Sequence, residues 1–202
     1  MKYYLGNNTD PLFAVYAAGG VCHPVFVEKY GEACFAFRPD MQEITDAETV
    51  AALDKYIHPY EDGKVPVYMA GPLFNEGDRY TNQLNSDRLR AAGYTTFLPQ
   101  EIVITNKSSV LVKAACYYMD LKAIRLCSWL VVNCNGIEID SGTAAEIGLG
   151  YGWGKKLALY KSDVRNYYNE SFRLNNFVGG LVDNRVYKTI DEILAVMAES
   201  GK

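Results

Sequence analysis

The chain has 202 residues, 49% of them hydrophobic and 22% charged, with 20 Lys+Arg against 24 Asp+Glu and a formal net charge of −4. That length suits one α/β domain with a modest extension, and the composition supports a sizeable core and argues against intrinsic disorder. The acidic balance, with no polybasic run, speaks against tracking nucleic acid or an anionic membrane surface, and no uncharged apolar stretch approaches the roughly 20 residues of a membrane span. The N-terminus, Met1-Lys2-Tyr3-Tyr4-Leu5-Gly6-Asn7-Asn8, turns polar too early for a signal peptide, so a cytoplasmic protein is expected.

The first 64 residues differ from the rest. Val25-Phe26-Val27 and Cys34-Phe35-Ala36-Phe37 flank a turn at Gly31 and predict a hairpin. Thr45-Asp46-Ala47-Glu48 reads as a capping box with Thr45 at the cap, followed by Val50, Leu53 and Ile57 at helical spacing. His58 to Lys64 breaks that helix and reads as a linker. Residues 1–64 therefore form an α+β extension without a catalytic motif, suited to packing or subunit contact.

From Val65 strands and helices alternate. Val65 to Ala70 is an apolar strand followed by a Gly71-Pro72 turn. Tyr80 to Ala92 predicts a helix with Leu84 and Ala91 on its inner face and Gly93 as the stop. Strands follow at Thr95 to Leu98, Trp129 to Asn133, Lys156 to Tyr160 and Val186-Tyr187. Helices fall at Val110 to Arg125, Thr143 to Trp153 and through Ile190, Ile193, Leu194 and Met197. Such alternation with short links predicts a doubly wound parallel sheet of the Rossmann or flavodoxin kind, over residues 65–202. Ligands of such sheets bind beyond the carboxyl ends of the strands, here near Ala70 to Phe74, Pro99 to Glu101, Asn133 to Asn135 and Tyr160 to Asp163.

Few residue types are on hand for chemistry. The five cysteines (Cys22, Cys34, Cys116, Cys127, Cys134) form no CxxC pair, and the last three sit among apolar neighbours as small hydrophobes do. Only two histidines occur, His23 and His58, too few for a zinc site or a histidine-based triad. The work therefore falls to carboxylates, amides and tyrosines. The glycines from Gly148 to Gly154, with Lys155 and Lys156 behind them, miss both phosphate-loop and dinucleotide spacings. Close packing of that helix, on the sheet or on a second subunit, is the better use.

The informative segment is Asp140-Ser141-Gly142-Thr143-Ala144-Ala145-Glu146. A turn there opens a helix, whose backbone N–H groups and dipole favour an ionised Glu146 of the sort a glycosyl-transfer nucleophile needs. Asp140 and Glu146 are equally suited to capping the helix and complementing its dipole. Asp120, between Met119 and Leu121, is by itself an ordinary solvated or ion-paired residue.

Together, Val67 to Phe74, Asp120, Asp140 and Gly142 to Gly148 resemble the nucleoside 2-deoxyribosyltransferase family, from about Val65 to Val182. Asp120 and Asp140 stand 26 and 6 residues before Glu146, the family's own intervals. Asn176, beside Asn175, takes the place of a family asparagine after the fourth strand, and Val67 stands where some members carry tyrosine, leaving Tyr68 or Phe74 as the aromatic of that edge. The resemblance implies exchange of the base of a 2′-deoxyribonucleoside for a free nucleobase, without metal or organic cofactor. Glu146 would be the nucleophile and Asp120 the general acid and base. Asp140 and Asn176 would bind the deoxyribose hydroxyls, with Gly71 and Phe74 at the substrate's edge. The carboxylates are expected to converge on one pocket, with at least one pKa raised. A homo-oligomer is implied, a neighbouring subunit completing the pocket. A hydrolase with water as the acceptor and a non-catalytic nucleotide sensor stay open, although a sensor would be expected to have lost one of these carboxylates.

Overall fold

The computed structural model describes residues 3–5, 15–17, 42–56, 59–102, 110–165 and 174–201. In chain order the elements begin with β1 (Tyr3–Leu5), β2 (Val15–Ala17), β3 (Gln42–Glu43) and α1 (Ala47–Tyr56). β4 (Pro66–Ala70), α2 (Glu76–Ala91), β5 (Thr95–Phe97) and α3 (Val110–Leu126) follow. The remainder comprises β6 (Trp129–Asn133), α4 (Ser141–Gly152), β7 (Lys156–Tyr160), α5 (Asn176–Gly180), β8 (Val186–Tyr187) and α6 (Ile190–Glu199). No helix among the described residues is long and apolar enough to cross a membrane. The chain packs as two compact units, one of Met1–Pro59 and Ile102–Arg125, the other of Tyr60–Glu101 and Leu126–Lys202.

In the first unit β1 pairs antiparallel with both β2 and β3. α1 begins one residue later than the capping box implied. Asp46, not Thr45, accepts the Thr49 N–H at 2.7 Å and the Thr49 hydroxyl at 2.5 Å, because a carboxylate accepts both at once. The expected hairpin at Val25–Val27 and Cys34–Phe37, together with Cys22, His23 and His58, lies outside the described residues.

The second unit is built on a five-stranded parallel sheet in the order β5-β4-β6-β7-β8. Counted from β4 this is 2-1-3-4-5, the flavodoxin-like arrangement, whose switch point falls between β4 and β6. Strand periodicity divides the side chains between two faces. Val67, Met69, Val131 and Ala158 pack with Leu89 of α2 and with Ile190, Ile193 and Met197 of α6. The alternate residues Tyr68, Leu130, Val132 and Leu159 are buried on the other face. There Gly150 of α4 approaches so closely that an added methyl would lie 3.1 Å from Leu130 and 3.2 Å from Leu157. The expected use of this glycine stretch, close helix-to-sheet packing, holds at Gly150.

α2 departs from the sequence reading. It starts at Glu76, a turn before Tyr80, because the Asn75 side chain accepts the Asp78 N–H. Leu84 is 48% exposed, Ala91 is exposed too, and the inner face carries Asn82, Asn85, Ser86 and Leu89. Each polar member has a partner: Asn82 meets Asn133, Asn85 meets the Tyr160 hydroxyl at 2.6 Å, and Ser86 meets Thr96 at 2.6 Å. Hydrogen bonding thus replaces apolar periodicity on this helix.

Candidate active site

The switch point gathers several buried polar groups. β4 delivers Gly71 against β6 so tightly that a Cβ on it would lie 2.8 Å from Asn133 Cβ and 3.1 Å from Asn82 Oδ1. Asn82 Nδ2 donates to the Pro72 carbonyl at 2.8 Å, and Asn133 Nδ2 donates to Asn82 Oδ1 at 2.8 Å. Asn133 Oδ1 in turn accepts the Asn135 N–H at 3.1 Å. Only glycine at position 71 leaves room for this lattice, which fixes the ends of both strands.

Asp140 is the N-cap of α4. Its Oδ2 accepts the Thr143 N–H at 3.0 Å and the Thr143 hydroxyl at 3.3 Å. The capping use of this residue is therefore real, and Oδ1 remains for other work.

Glu146 is the sixth residue of α4, in its second turn and past the reach of the helix-end charges. Its carboxyl faces the buried sheet, where Tyr68 of β4 donates its hydroxyl to Oε1 at 2.6 Å. The Tyr68 ring is itself fully buried and stacks on Phe97, with centroids 5.6 Å apart and planes 14° apart. Burial pushes the Glu146 carboxyl up to about 7; the Tyr68 hydroxyl holds it down in part and the nearby Asp140 charge pushes it further up. This reverses the sequence expectation of a carboxylate kept ionised by the helix start, because desolvation outweighs a dipole that fades within one turn. The expected raised pKa belongs to Glu146, and its chief cause is burial rather than a neighbouring charge.

The other predicted residues are placed as follows. Asp120 is half-buried on α3, in the first unit, between the buried Met119 and Leu121. Phe74 is 76% exposed, just before the cap of α2. Asn176 opens α5 and is exposed, whereas Asn175 caps that helix by accepting the Phe177 N–H at 2.9 Å. Asn175 also lines a cavity of about 200 Å³ together with Cys134, Ile137, Ile139, Ala144 and Val178. The structure thus brings Tyr68, Asp140 and Glu146 together, with Gly71 at the same sheet edge. Sequence reasoning missed Tyr68 as a partner of Glu146 and missed Asn82; Asn133 was named only as part of a strand end near the ligand. The one sequence signal for the amides was a helix whose 3–4-spaced positions Asn82, Asn85 and Ser86 were polar where a core face was needed. Of the cysteines, Cys127 and Cys134 are buried, and burial pushes the Cys127 thiol up to about 12, leaving it inert.

A half-buried carboxylate bonded to a phenol, beside a capped helix start at a switch point, offers a partly desolvated nucleophile or proton carrier to a ligand at the sheet edge. Solved structures with the same fold include a conserved protein from Enterococcus faecalis V583, at 23% identity and a TM-score of 0.59, covering 68% of this chain and 99% of that one. A 2-desoxiribosyltransferase from Leishmania mexicana follows at 20% identity and a TM-score of 0.53, covering 68% and 99%. A 2-deoxyribosyltransferase from Bacillus psychrosaccharolyticus shares 21% identity at a TM-score of 0.54, covering 64% and 90%. A search of curated protein sequences gave no match. The nucleoside 2-deoxyribosyltransferase family profile matches residues 67–190, more than half the chain, from β4 to the start of α6. The match takes in Tyr68, Gly71, Asp140 and Glu146, and the chain belongs to the nucleoside 2-deoxyribosyltransferase family.

Proposed function

We propose that this chain transfers 2-deoxyribose from a 2′-deoxyribonucleoside to a free nucleobase, with Glu146 as the nucleophile. The observation that carries the reading is the desolvated Glu146 carboxyl, held at Oε1 by Tyr68 six residues after the helix cap Asp140. With its pKa raised to about 7, a large share of Glu146 is ionised at neutral pH. Stripped of water on one side, such a carboxylate is a strong nucleophile. Tyr68 orients one oxygen and leaves Oε2 for attack.

In the first half-reaction Oε2 bonds to C1′ on the face opposite the base. The C1′–N bond breaks with its electron pair going to the base, and Asp120 supplies a proton to the departing nitrogen. An incoming base nitrogen then attacks C1′, the ester C1′–O bond breaks, the Glu146 carboxylate is regenerated, and Asp120 takes the proton back. Two inversions give net retention. Asp140 Oδ1 and Asn176 serve the sugar hydroxyls, Asp140 accepting from the 5′-hydroxyl, while Gly71 and Phe74 border the base. The reading also includes a cytoplasmic homo-oligomer whose neighbouring subunit completes the pocket.

The experiment is a mixture of the protein with deoxyinosine or thymidine and a different free base, resolved by chromatography. A new deoxynucleoside is the expected product. Free deoxyribose with no new nucleoside would make the chain a hydrolase, and an unchanged mixture would end both readings.

A further inference from the structure

Lys161, the residue after β7, is 1% exposed, an unusual place for a cation at the sheet edge where helices begin. The field there favours anions, so an ammonium stays buried only when its own bonds hold it. Its Nζ donates to the Cys134 carbonyl at 3.2 Å and to the Gly136 carbonyl, and it pairs with Asp163 Oδ1 at 3.0 Å. An ammonium has three donors, so none is left for a substrate. Asp163 completes the arrangement from the other side. Its Oδ2 accepts the Gly136 N–H at 2.6 Å and is held by Arg165 Nη2 at 2.7 Å. Burial alone would raise the Asp163 carboxyl; the Gly136 N–H, Lys161 and Arg165 outweigh it and hold the pKa below its ordinary value. The Asn135 side chain adds to the same seam, accepting the Ser162 N–H at 2.8 Å and the Asp163 N–H at 3.2 Å.

Residues 134–136 are thereby tied at consecutive positions to residues 161–163, and Gly136 is gripped by both its N–H and its carbonyl. The loop held in this way supplies Cys134, Ile137 and Ile139 to the 200 Å³ cavity and ends at Asp140. The geometry points to Lys161 and Asp163 as a positioning pair that clamps the β6–α4 loop and sets how the nucleoside is bound, without touching the reacting atoms. This inference rests on the transferase reading for its ligand. The pair grips the backbone of the loop at Cys134 and Gly136, so its loss falls on binding rather than on the chemical step.

The test compares wild type with Lys161→Met and Asp163→Asn in the full chain, reading kcat and KM for a deoxynucleoside at saturating free base. In Lys161→Met, KM should rise about tenfold or more while kcat stays within about threefold, with a smaller rise in Asp163→Asn. A second readout needs no activity. Hydrogen exchange at the Asn135 and Gly136 amides should quicken about tenfold while the amides of β6 and β7 keep their protection. Should Lys161→Met fail to fold, Asp163→Asn, which keeps both carbonyl bonds of Lys161, decides instead, with KM expected to rise about threefold and exchange at Gly136 to quicken. A folded variant with unchanged KM, or with wild-type exchange at Asn135 and Gly136, overturns the clamp. An equal fall in kcat with KM unmoved overturns it as well, because it would place the pair in the chemical step. Failure of the wild type to transfer at all strikes the transferase reading alone, and the exchange measurement still decides whether the clamp exists.

Discussion

The two edges of the five-stranded sheet treat charge in opposite ways. At the amino edge Lys156 lies exposed over the Trp129 ring, 5.2 Å from its centroid, and Lys155 follows the end of α4. Cations near a helix C-terminus match its dipole and keep their charged heads in water, so nothing there opposes stability. At the carboxyl edge the order is reversed. Glu146 is a half-buried acid with a raised pKa, Lys161 is buried as a cation, and Asn82 and Asn133 spend their amides on holding backbone and each other. Desolvated groups of this kind are costly for folding and persist where surrounding bonds over-determine them. The contrast supports the proposed site at the carboxyl edge, and each substitution below tests one part of it.

The largest effect is expected from Glu146→Gln, which keeps the shape and the acceptor for Tyr68. Transfer should fall about a thousandfold or more. Stability should move the other way. A carboxyl whose pKa is raised from 4.5 to about 7 in the folded state destabilises the fold once it must ionise. The variant should therefore be the more stable at pH 8, by up to ~3 kcal/mol, with the advantage shrinking as pH falls through 7 and gone by about pH 4. Urea titrations at pH 4 and pH 8 check the sign; a gap of equal size at both would show that the Glu146 pKa is not raised in the folded state.

Next in size is Asp140→Ser. Serine keeps the helix cap, so the fold should hold. An ionised Asp140 repels a 5′-phosphate; two unit charges about 4 Å apart interact by about 4 kcal/mol at an effective dielectric of 20, and half of that is roughly thirtyfold in binding. The ratio of kcat/KM for deoxyguanosine over its 5′-monophosphate should shrink by about that factor in the variant. A wild type that uses both equally well would remove Asp140 as the gate.

Tyr68→Phe removes the 2.6 Å bond that holds the Glu146 pKa down. The rising limb of the pH–rate profile should shift to higher pH, and the rate at pH 7 should drop about tenfold. An unmoved limb would mean that Tyr68 only packs. The smallest effects concern glycines. Gly71→Ala drives a methyl to 2.8 Å from Asn133 Cβ and should cost about 1–3 kcal/mol by thermal unfolding. Gly148→Ala, in open space on α4, should gain roughly 0.5–1 kcal/mol. Equal effects at the two sites would argue against the tight lattice at the switch point.

These substitutions also mark what could be read before folding. β6 and β7 fell on the expected residues because apolar runs of buried parallel strands are distinctive, and the short β8 fell where expected too. The segment from Asp140 to Glu146 was legible as a capped helix start with a carboxylate inside it. Its electrostatics were not, since the ionisation of Glu146 depends on a tyrosine 78 residues away and on burial that no local pattern encodes. α2 misled for a related reason. Its inner face satisfies Asn82, Asn85 and Ser86 through partners on β6, β7 and β5, and a polar core position looks like surface until those partners are known. Lys161 hid in the same way, its solvation supplied by two carbonyls and Asp163.

The most direct test of the account is covalent trapping with a 2′-fluorinated deoxynucleoside, followed by peptide mapping by mass spectrometry. Fluorine at C2′ destabilises the oxocarbenium-like transition state and slows breakdown of the glycosyl ester, so the intermediate accumulates. The account predicts one deoxyfluororibosyl group per chain, on Glu146, and none on Glu146→Gln. A label on any other residue, or steady base exchange with no label at all, would contradict Glu146 as the nucleophile.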